Sequence, residues 1–517
     1  MRSHFLSRKI VKQRRGAIAL ALASSLLAQP GVLFPWLGGV ARAQLTAFCK
    51  LSTSTIAQKD AARQAAFAGD QIATVEYQQL VQADAQRLRQ CRSQTWPQTQ
   101  AIWLRLYPCD LQPGVLDDVM DRIVNQGYNQ VYVEVFYDGQ VLLPSTDNPT
   151  VWPSVIRTGE AAKADLLAQA IQKAHERGLK LYAWMFSMNF GYSYGQRADR
   201  QQALARNGRG QSSLYVANNG GLAIDFSQQE VDKVFIDPYN LQAKQDYNRL
   251  VQAVLQRQPD GVLFDYIRYP RQTGAASVTD KVSDLWIYAS GAQQALIQRG
   301  LNNKGVNLIQ RFLQKGYIST YDIAALDRQY PQEREPLWQG RNPPLSLSKQ
   351  LLPAAIRQPR LQQELWLLSA AHAFQGVVDF LTAAVLPVQQ RGIPAGAVFF
   401  PDGNRRVGRG FDSRMQPWDR FPSSIEWHPM SYAVCGNTSC IASQVQEVLR
   451  AAPSGTQVSP VLAGVWGRAL QNSRPSLEAQ MAALRQFAPQ IRSVSHFAYS
   501  WQEDPTSARN RRSCRLR

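Results

Sequence analysis

The sequence predicts an α/β protein, a (β/α)8 TIM barrel, from two observations. Short apolar runs alternate with amphipathic helical stretches over most of the chain, and this alternation is typical of parallel βα units. Eight apolar runs follow one another, which favours a closed barrel over an open sheet. The predicted strands are 101–106, 130–136, 180–187, 261–267, 397–400, 424–430, 458–465 and 494–500.

A helix is predicted before most of these strands, and several helices end in a glycine-bearing turn, as at Gly127, Gly178 and Gly392. The interval 272–359 is too long for a βα loop and contains helical stretches at 283–299 and 307–315. We therefore predict a helical insertion after the fourth strand, overhanging the active face. The other predicted helices are 115–126, 161–177, 239–257, 365–390, 441–451 and 476–487.

The first 43 residues differ from the rest and are typical of a secretory signal peptide. Five basic residues between Arg8 and Arg15 precede the apolar run 17–28, and Ala41 to Ala43 supplies a small-x-small cleavage site. The apolar segment 30–40 leaves an uncleaved anchor as the alternative. No other run approaches the roughly 20 apolar residues of a membrane span. We expect an exported protein of the periplasm, cell envelope or extracellular space, with no transmembrane span after cleavage.

The rest of the chain divides by composition. Residues 44–98 form a proline-poor segment with helical periodicity, predicted to be a helix or helical hairpin, and the barrel is assigned to 99–505. Residues 506–517 form a basic tail. Six cysteines in an oxidising compartment favour disulfides, and sequence locality suggests Cys49 with Cys91 and Cys435 with Cys440. Because the five histidines are scattered singly, we expect no metal site and no cofactor.

The net charge is +19 for the whole chain and +12 after residue 43, where 50 basic and 38 acidic residues remain. Five arginines lie in the last nine residues; they form either a solvated tail or an anchor to an anionic envelope surface. No helix-turn-helix or RNP-like pattern is present, and nucleic acid is a poor partner for an exported protein. An anionic polymer of the envelope is the better expectation.

Several segments occur in the order expected of one known family. They are Ala101-Ile-Trp-Leu104, Asn129 through Tyr137-Asp-Gly139 to Leu143-Pro-Ser145, Leu181-Tyr-Ala-Trp-Met185, Asp237-Pro238, Asp260-Gly-Val-Leu-Phe-Asp-Tyr-Ile-Arg-Tyr-Pro270 and Pro429-Met-Ser-Tyr432. The chain resembles the glycosyl-hydrolase-like family also known as domain of unknown function 187 or family 10 glycosylhydrolase-like. The resemblance implies an exported TIM barrel with a saccharide-directed site. We expect a glycoside hydrolase-like protein that acts on a cell-envelope or extracellular polysaccharide. The alternative is a non-catalytic saccharide-binding or wall-associated barrel, because a fold alone does not establish a reaction.

Asp265 is the leading catalytic candidate. It follows the apolar run Val262 to Phe264, so it is expected where the fourth strand reaches the barrel mouth. A buried carboxylate requires either a counter-ion, for which Arg268 is suitable, or a role in an open site. The resemblance assigns Asp265 the ionised role of a glycosidase carboxylate, with Arg268 lowering its pKa.

Glycoside hydrolysis usually needs a second carboxyl group as the acid. Asp402 follows the fifth strand, although its Asp-Gly pair is equally typical of a turn. Glu134 lies inside the second strand, where apolar neighbours would raise its pKa, but the family usually has Gln there. Glu503 and Asp504, after the eighth strand, are third choices.

Aromatic residues near strand ends suit a sugar-binding cleft or plain rim packing. His428 is placed to bind a substrate hydroxyl or a backbone carbonyl. The predicted substrate-binding residues are Arg268, Tyr269, Trp184, His428, Tyr432, Trp466 and Trp501.

A competing pattern, Gly191-Tyr-Ser-Tyr-Gly195, matches the nucleophile elbow of serine esterases. It would make Ser193 a nucleophile and would require His428 or His496 as its base. A serine esterase is therefore a minor alternative function.

Overall fold

Eight parallel strands form the centre of the protein, and each is built from one apolar run. In this computed structural model the described residues are 48–157, 159–218, 224–225, 228–229, 233–343, 351–432, 435–470 and 474–514. Residues 1–43, to which the signal peptide was assigned, lie outside them. The strands are β1 (Thr99–Leu104), β2 (Gln130–Tyr137), β3 (Lys180–Phe186), β4 (Gly261–Asp265), β5 (Ala395–Phe399), β6 (Glu426–Pro429), β7 (Val461–Ala463) and β8 (Ser493–Phe497).

The strands are hydrogen bonded in the order β6-β5-β4-β3-β2-β1-β8-β7. Parallel bridges from Trp427 to Val458 and from Met430 to Val461 join β6 to β7 and close the ring. The (β/α)8 TIM barrel predicted from the alternation of strands and helices is therefore confirmed.

Helices surround this barrel and also form the predicted N-terminal element and insertion. Short helices of four to six residues lie at Gly191–Gly195, Ser213–Asn218 and Tyr499–Gln502. The longer helices are α1 (Thr53–Phe67), α2 (Gln71–Gln94), α3 (Val115–Asn125), α4 (Leu166–Glu176), α5 (Leu241–Leu255), α6 (Ser290–Ile297), α7 (Asn303–Lys315), α8 (Thr320–Gln329), α9 (Ala354–Gln390), α10 (Thr438–Ala451), α11 (Leu477–Leu484) and α12 (Pro505–Ser513).

The hairpin of α1 and α2 is fixed to the barrel helices by buried ion pairs. Asp121 of α3 accepts hydrogen bonds of 2.8 Å from both Arg63 of α1 and Arg177 at the end of α4. Lys59 and Asp84 form a second buried pair at 2.6 Å, between the two helices of the hairpin. Because each buried charge has its partner, removing one would leave the other uncompensated.

Helix α9 is longer than predicted, at 37 residues, and begins at Ala354 rather than 365. It continues through Pro359, which lies in its second turn, where a proline removes only one backbone hydrogen bond. By length and composition alone α9 could cross a membrane, contrary to the expectation that no run beyond the first 43 residues is apolar enough for a span. In the structure 61% of its most apolar stretch is buried inside the protein.

The insertion after β4 contains α6, α7 and α8. Asp237 anchors it, because its carboxylate accepts hydrogen bonds of 2.9 Å from the backbone N–H of Ala292 and of Tyr239. His372 of α9 stacks on Tyr239 at 4.2 Å and accepts a hydrogen bond from Arg299. Burial lowers the pKa of His372 to about 3, so it is a neutral link between the insertion and α9.

Three disulfides cross-link the chain. Cys49–Cys91 and Cys435–Cys440 are the pairs predicted from locality, and Cys109–Cys514 is the third. Such bonds persist in oxidising compartments.

Helix α12 includes much of the predicted basic tail. Arg511 in it donates to Asp110 at 3.0 Å and to Glu503 at 2.9 Å, so this arginine is not a solvated charge.

Candidate active site at the barrel mouth

The barrel interior is filled by aromatic side chains. Trp103 of β1 lies 4.8 Å from both Tyr132 of β2 and Trp184 of β3, and the Tyr132 ring lies 5.7 Å from His428 of β6. The strands are parallel, so polar side chains at their carboxyl ends meet above this packed layer.

Asp265 is the last residue of β4, and 7% of its surface is exposed to solvent. Its Oδ2 accepts a hydrogen bond of 3.1 Å from the indole N–H of Trp184, and its Oδ1 accepts one of 2.6 Å from the backbone N–H of Tyr266. Burial raises the pKa of Asp265 to about 6, although these two donors and the charges of Arg268 and Lys233 act to lower it. The predicted position of Asp265 at the end of the fourth strand agrees with the structure.

Arg268 influences Asp265 through its charge and is itself held by neighbouring groups. Its guanidinium donates to the backbone carbonyl of Tyr269 at 3.0 Å and lies 4.6 Å from the ring of Tyr266. It therefore holds positive charge beside the mouth.

Glu134 of β2 is 1% exposed, and its two carboxyl oxygens differ in their hydrogen bonding. Oε2 accepts a hydrogen bond from Nε of Arg105, whereas Oε1 has no hydrogen-bond partner within the described part of the chain. Burial raises the pKa of Glu134 to about 7 against the effect of Arg105, and the charges of Asp138 and Asp265 raise it further. A carboxyl group with this pKa is partly protonated near neutral pH.

The two carboxyl groups belong to one site. Glu134 is in register with Trp184 on β3, and Asp265 is in register with Phe186 two residues further along β3. One strand thus separates the two residues, which places their backbones about 10 Å apart across the sheet. The charge of Asp265 acts on the pKa of Glu134, as expected for two groups in one low-dielectric site.

A bulge shapes the Glu134 side of the mouth. The register of β2 against β3 shifts between Glu134 and Phe136. Tyr137 then lies under the guanidinium of Arg105 at 4.2 Å, and Asp138 is 3.9 Å from the same group.

Arg105 was not among the site residues predicted from the sequence. The available signal was its spacing of two from Trp103, which puts both side chains on one face if β1 is extended.

Asp402 lies at the end of β5 but pairs with Arg414 at 2.9 Å. Burial acts to raise the pKa of Asp402, but the hydrogen bond and charge of Arg414 outweigh it, so the pKa is lowered. A carboxylate held ionised in this way does not suit a proton donor. Between the two acids that the sequence suggested, the geometry favours Glu134.

The third-choice carboxylates have structural partners. Glu503 binds Arg511, and Asp504 caps α12 by accepting hydrogen bonds of 3.0 Å from the backbone N–H of Thr506 and Ser507.

Two of the predicted aromatic residues lie at the rim. Tyr432 and Trp501 are partly exposed and lie 5.7 Å and 5.6 Å from the ring of Phe497, the last residue of β8. Trp184, also predicted to bind substrate, donates a hydrogen bond to Asp265.

The other predicted binding residues are buried or packed against neighbouring side chains. Tyr269 is completely buried, and His428 is buried in the lumen, where its Nε2 lies 3.1 Å from the carboxylate of Glu426. Trp466 donates to the hydroxyl of Tyr128 at 3.0 Å and packs with the smaller hydrophobic cluster around α10 and α11. It follows β7, but β7 ends at Ala463, so the chain has already turned away from the lumen before Trp466.

Ser193 lies in a contact between two loops and not in a nucleophile elbow. Its hydroxyl donates to the carbonyl of Gly139 at 2.5 Å, and a Cβ at Gly191 would lie 2.0 Å from the backbone nitrogen of Gly139. The absence of a side chain at Gly191 therefore permits this close approach. His428 binds Glu426, and Nδ1 of His496 lies 3.0 Å from the hydroxyl of Tyr128, so neither serves Ser193 as a base. The structure thus gives no support to the serine-esterase alternative.

Across the described ranges, no group of three or more His, Cys, Asp or Glu side chains is arranged to hold a metal ion.

Comparison with known proteins agrees with the family predicted from the sequence. Residues 106–294, which include Glu134 and Asp265, match the family described as Glycosyl hydrolase-like 10. The glycosyl hydrolase DigH of Escherichia coli K12 is 26% identical over 170 residues, as is that of Shigella flexneri. The match covers 32% of this chain and 36% of each relative, so it spans little more than a third of their length.

Solved structures with similar chain traces include two glycan-active enzymes. The PgaB glycoside hydrolase domain of Bordetella bronchiseptica has a TM-score of 0.44 and 15% identity, over 81% of this chain and 99% of that one. An exo-β-N-acetylglucosaminidase of Vibrio harveyi has a TM-score of 0.39 and 8% identity, over 82% and 57%.

Proposed function

We propose that this protein, which contains a Glycosyl hydrolase-like 10 segment, is an exported glycoside hydrolase acting on a cell-envelope or extracellular polysaccharide. The main support is the presence of two electrostatically coupled carboxyl groups, Asp265 and Glu134, at the carboxyl end of one barrel. Glycosidases generally use such a pair, one ionised and one protonated. The three disulfides and the predicted signal peptide support export.

Asp265 is assigned the ionised role. Both its oxygens accept hydrogen bonds that stabilise the anion, and the charges of Arg268 and Lys233 also act to lower its pKa. In that state it attacks the anomeric carbon or stabilises an oxocarbenium-like transition state.

Glu134 is assigned the role of the acid. Its pKa of about 7 keeps a proton available near neutral pH, and Oε1 is not engaged by any described group. Arg105 holds the other oxygen and so fixes the orientation of the carboxyl group. Tyr432 and Trp501 provide partly exposed aromatic surface at the rim for a sugar ring.

Three carboxylate variants test this assignment. Asp265→Asn and Glu134→Gln should each lower turnover of a susceptible polysaccharide by about 10²–10⁴-fold. Asp402→Asn is the matched control, because it removes a carboxylate from the same end of the barrel that is already paired with Arg414. Release of reducing ends from envelope polysaccharides is the measurement, with circular dichroism to verify folding. Wild-type turnover by Asp265→Asn would contradict the proposal.

A non-catalytic saccharide-binding barrel is the second candidate, supported by the small exposure of Asp265. It predicts that oligosaccharides bind to the wild-type protein by calorimetry, that Trp501→Ala weakens this binding, and that no reducing ends are released.

A further inference from the structure

A short antiparallel hairpin with three arginines projects from the same end of the barrel as Asp265. Its strands are Arg406–Val407 and Gly410–Asp412, and it follows β5, the neighbour of β4. We refer to residues 405–412 as the arginine hairpin. The side chains of Arg405, Arg406 and Arg409 are exposed and form no hydrogen bond or ion pair with any residue that the structure describes.

The arginine hairpin is held rigidly by the insertion and by α9. Phe411 pairs with Thr279 of the insertion and packs against Phe374 of α9 at 5.1 Å. The indole N–H of Trp366, also on α9, donates to the carbonyl of Arg409 at 3.2 Å. These contacts fix the backbone that presents the arginines, so binding a ligand there would require little ordering of the main chain.

Side-chain contacts connect the arginine hairpin to the catalytic mouth. Arg268, which acts on Asp265, lies 5.9 Å from the ring of Phe400, and Arg414 lies 4.8 Å from the same ring. Arg414 in turn binds Asp402, and the charge of Arg405 acts on that carboxylate. Arg405 is therefore linked to the mouth through Asp402, Arg414 and Phe400, and Arg406 and Arg409 lie on the same hairpin.

Nearby acidic groups do not neutralise the arginine hairpin. Asp402 and Asp412 both bind Arg414, at 2.9 Å and 2.7 Å. One of these two carboxylate charges is left over after Arg414, and the exposed Asp280 beside Gly410 adds another, so the three arginines of the hairpin leave a local net charge of +1. Unpaired guanidinium groups in a fixed frame are suited to carboxylate or phosphate, which they bind through two parallel hydrogen bonds.

We propose that the arginine hairpin binds acidic groups of the glycan, and that the substrate is therefore an anionic polysaccharide bearing carboxylate or phosphate groups. This inference rests on the proposed function and specifies its substrate class. Binding would hold a charged stretch of the polymer beside the mouth while an adjacent linkage lies between Asp265 and Glu134.

A matched pair of triple variants tests the proposal. The test variant is Arg405→Gln/Arg406→Gln/Arg409→Gln. The control variant is Arg391→Gln/Arg450→Gln/Arg485→Gln, three exposed arginines that also form no ion pair with a described residue. They lie at the ends of α9, α10 and α11, where each helix leads into a strand, and so at the opposite end of the barrel. Both variants change the net charge equally.

Binding is measured by affinity electrophoresis and calorimetry with three polymers: polygalacturonate for carboxylate, a glycerol-phosphate teichoic acid for phosphate, and dextran as the neutral polymer. The wild type should bind at least one anionic polymer more tightly than dextran. The test variant should lose about tenfold in that affinity, since each exposed charge contact contributes roughly twofold, and the control variant should lose less than twofold. The stronger of the two anionic polymers identifies the group recognised.

An equal loss of affinity in both triple variants would overturn the proposal, because net charge alone would then explain binding. Equal binding of dextran and of both anionic polymers by the wild type would also overturn it. Hydrolysis is scored separately: absence of turnover in the wild type counts against the glycosidase, whereas a selective loss of affinity in the test variant still supports the anionic site.

Discussion

The indole N–H of Trp184 donates a hydrogen bond of 3.1 Å to Oδ2 of Asp265. Trp184 is also in register with Glu134 on the other neighbouring strand. It therefore lies between the two proposed catalytic residues and supports one of them directly. The sequence predicts Trp184 as a substrate-binding residue, and this stays a prediction; the structure adds a hydrogen bond through which Trp184 positions the carboxylate.

Trp184→Phe should move the acid limb of the pH–rate profile to higher pH. The hydrogen bond from Trp184 is one of the contacts that lower the pKa of Asp265, so its loss raises a pKa already at about 6. The phenyl ring keeps much of the packing against Trp103. Measurement of kcat/KM across pH 4 to 9 checks this. A lower kcat with an unmoved acid limb would indicate a packing role only.

Under the proposed function, the wild-type protein should show a bell-shaped dependence of kcat/KM on pH. Activity requires ionised Asp265 and protonated Glu134, so it should rise through about pH 6 and fall through about pH 7. A broad plateau from pH 5 to 9 would contradict the assignment of these two groups.

Leaving-group dependence should separate the two roles. Dinitrophenolate leaves a dinitrophenyl glycoside without being protonated, so Glu134→Gln should still release dinitrophenolate rapidly in the first turnover, whereas it should lose cleavage of a polysaccharide. Asp265→Asn should lose turnover on both, because attack or charge stabilisation at the anomeric carbon is needed for either. Equal losses on both substrates in Glu134→Gln would argue against its role as the acid.

Glu134 should also make folding stability depend on pH. Its pKa rises from 4.5 in the unfolded chain to about 7 in the folded protein. Between these values the folded state retains a proton that the unfolded state has lost, so stability falls as the pH rises through this window. Above about pH 7 the loss is on the order of 1–3 kcal/mol. Glu134→Gln lacks this group, so its free energy of unfolding in urea should decline less between pH 5 and pH 8.

The barrel was predictable because each strand is a local apolar run, and Asp265 was placed correctly because it directly follows one. What the sequence could not supply were partners distant along the chain. Asp402 was the first candidate for the acid, with Glu134 as the alternative, because its partner Arg414 lies beyond the arginine hairpin and could not be identified from the local sequence. Cys109 and Cys514 are 405 residues apart and meet only because the barrel closes. The location of Trp466 depends on where β7 ends, and the end of a strand is the part that the local sequence pattern predicts least well.

The Cys109–Cys514 disulfide should affect the Glu134 end of the site. It holds α12 against the loop after β1, where Arg511 of α12 donates to the backbone carbonyl of Arg105 at 3.1 Å. Arg105 in turn lowers the pKa of Glu134. In Cys109→Ser/Cys514→Ser, α12 should exchange its amide hydrogens faster, and release of Arg105 should raise the pKa of Glu134.

The falling limb of the pH–rate profile should therefore move to higher pH in that double variant. Removing a disulfide also costs about 2–4 kcal/mol, so stability must be measured in parallel. Cys435→Ser/Cys440→Ser is the matched control, since those cysteines are only five residues apart and their disulfide does not involve α12. It should leave the falling limb unchanged. If both double variants move that limb equally, general loosening of the barrel is responsible, and the connection from α12 through Arg105 to Glu134 is refuted.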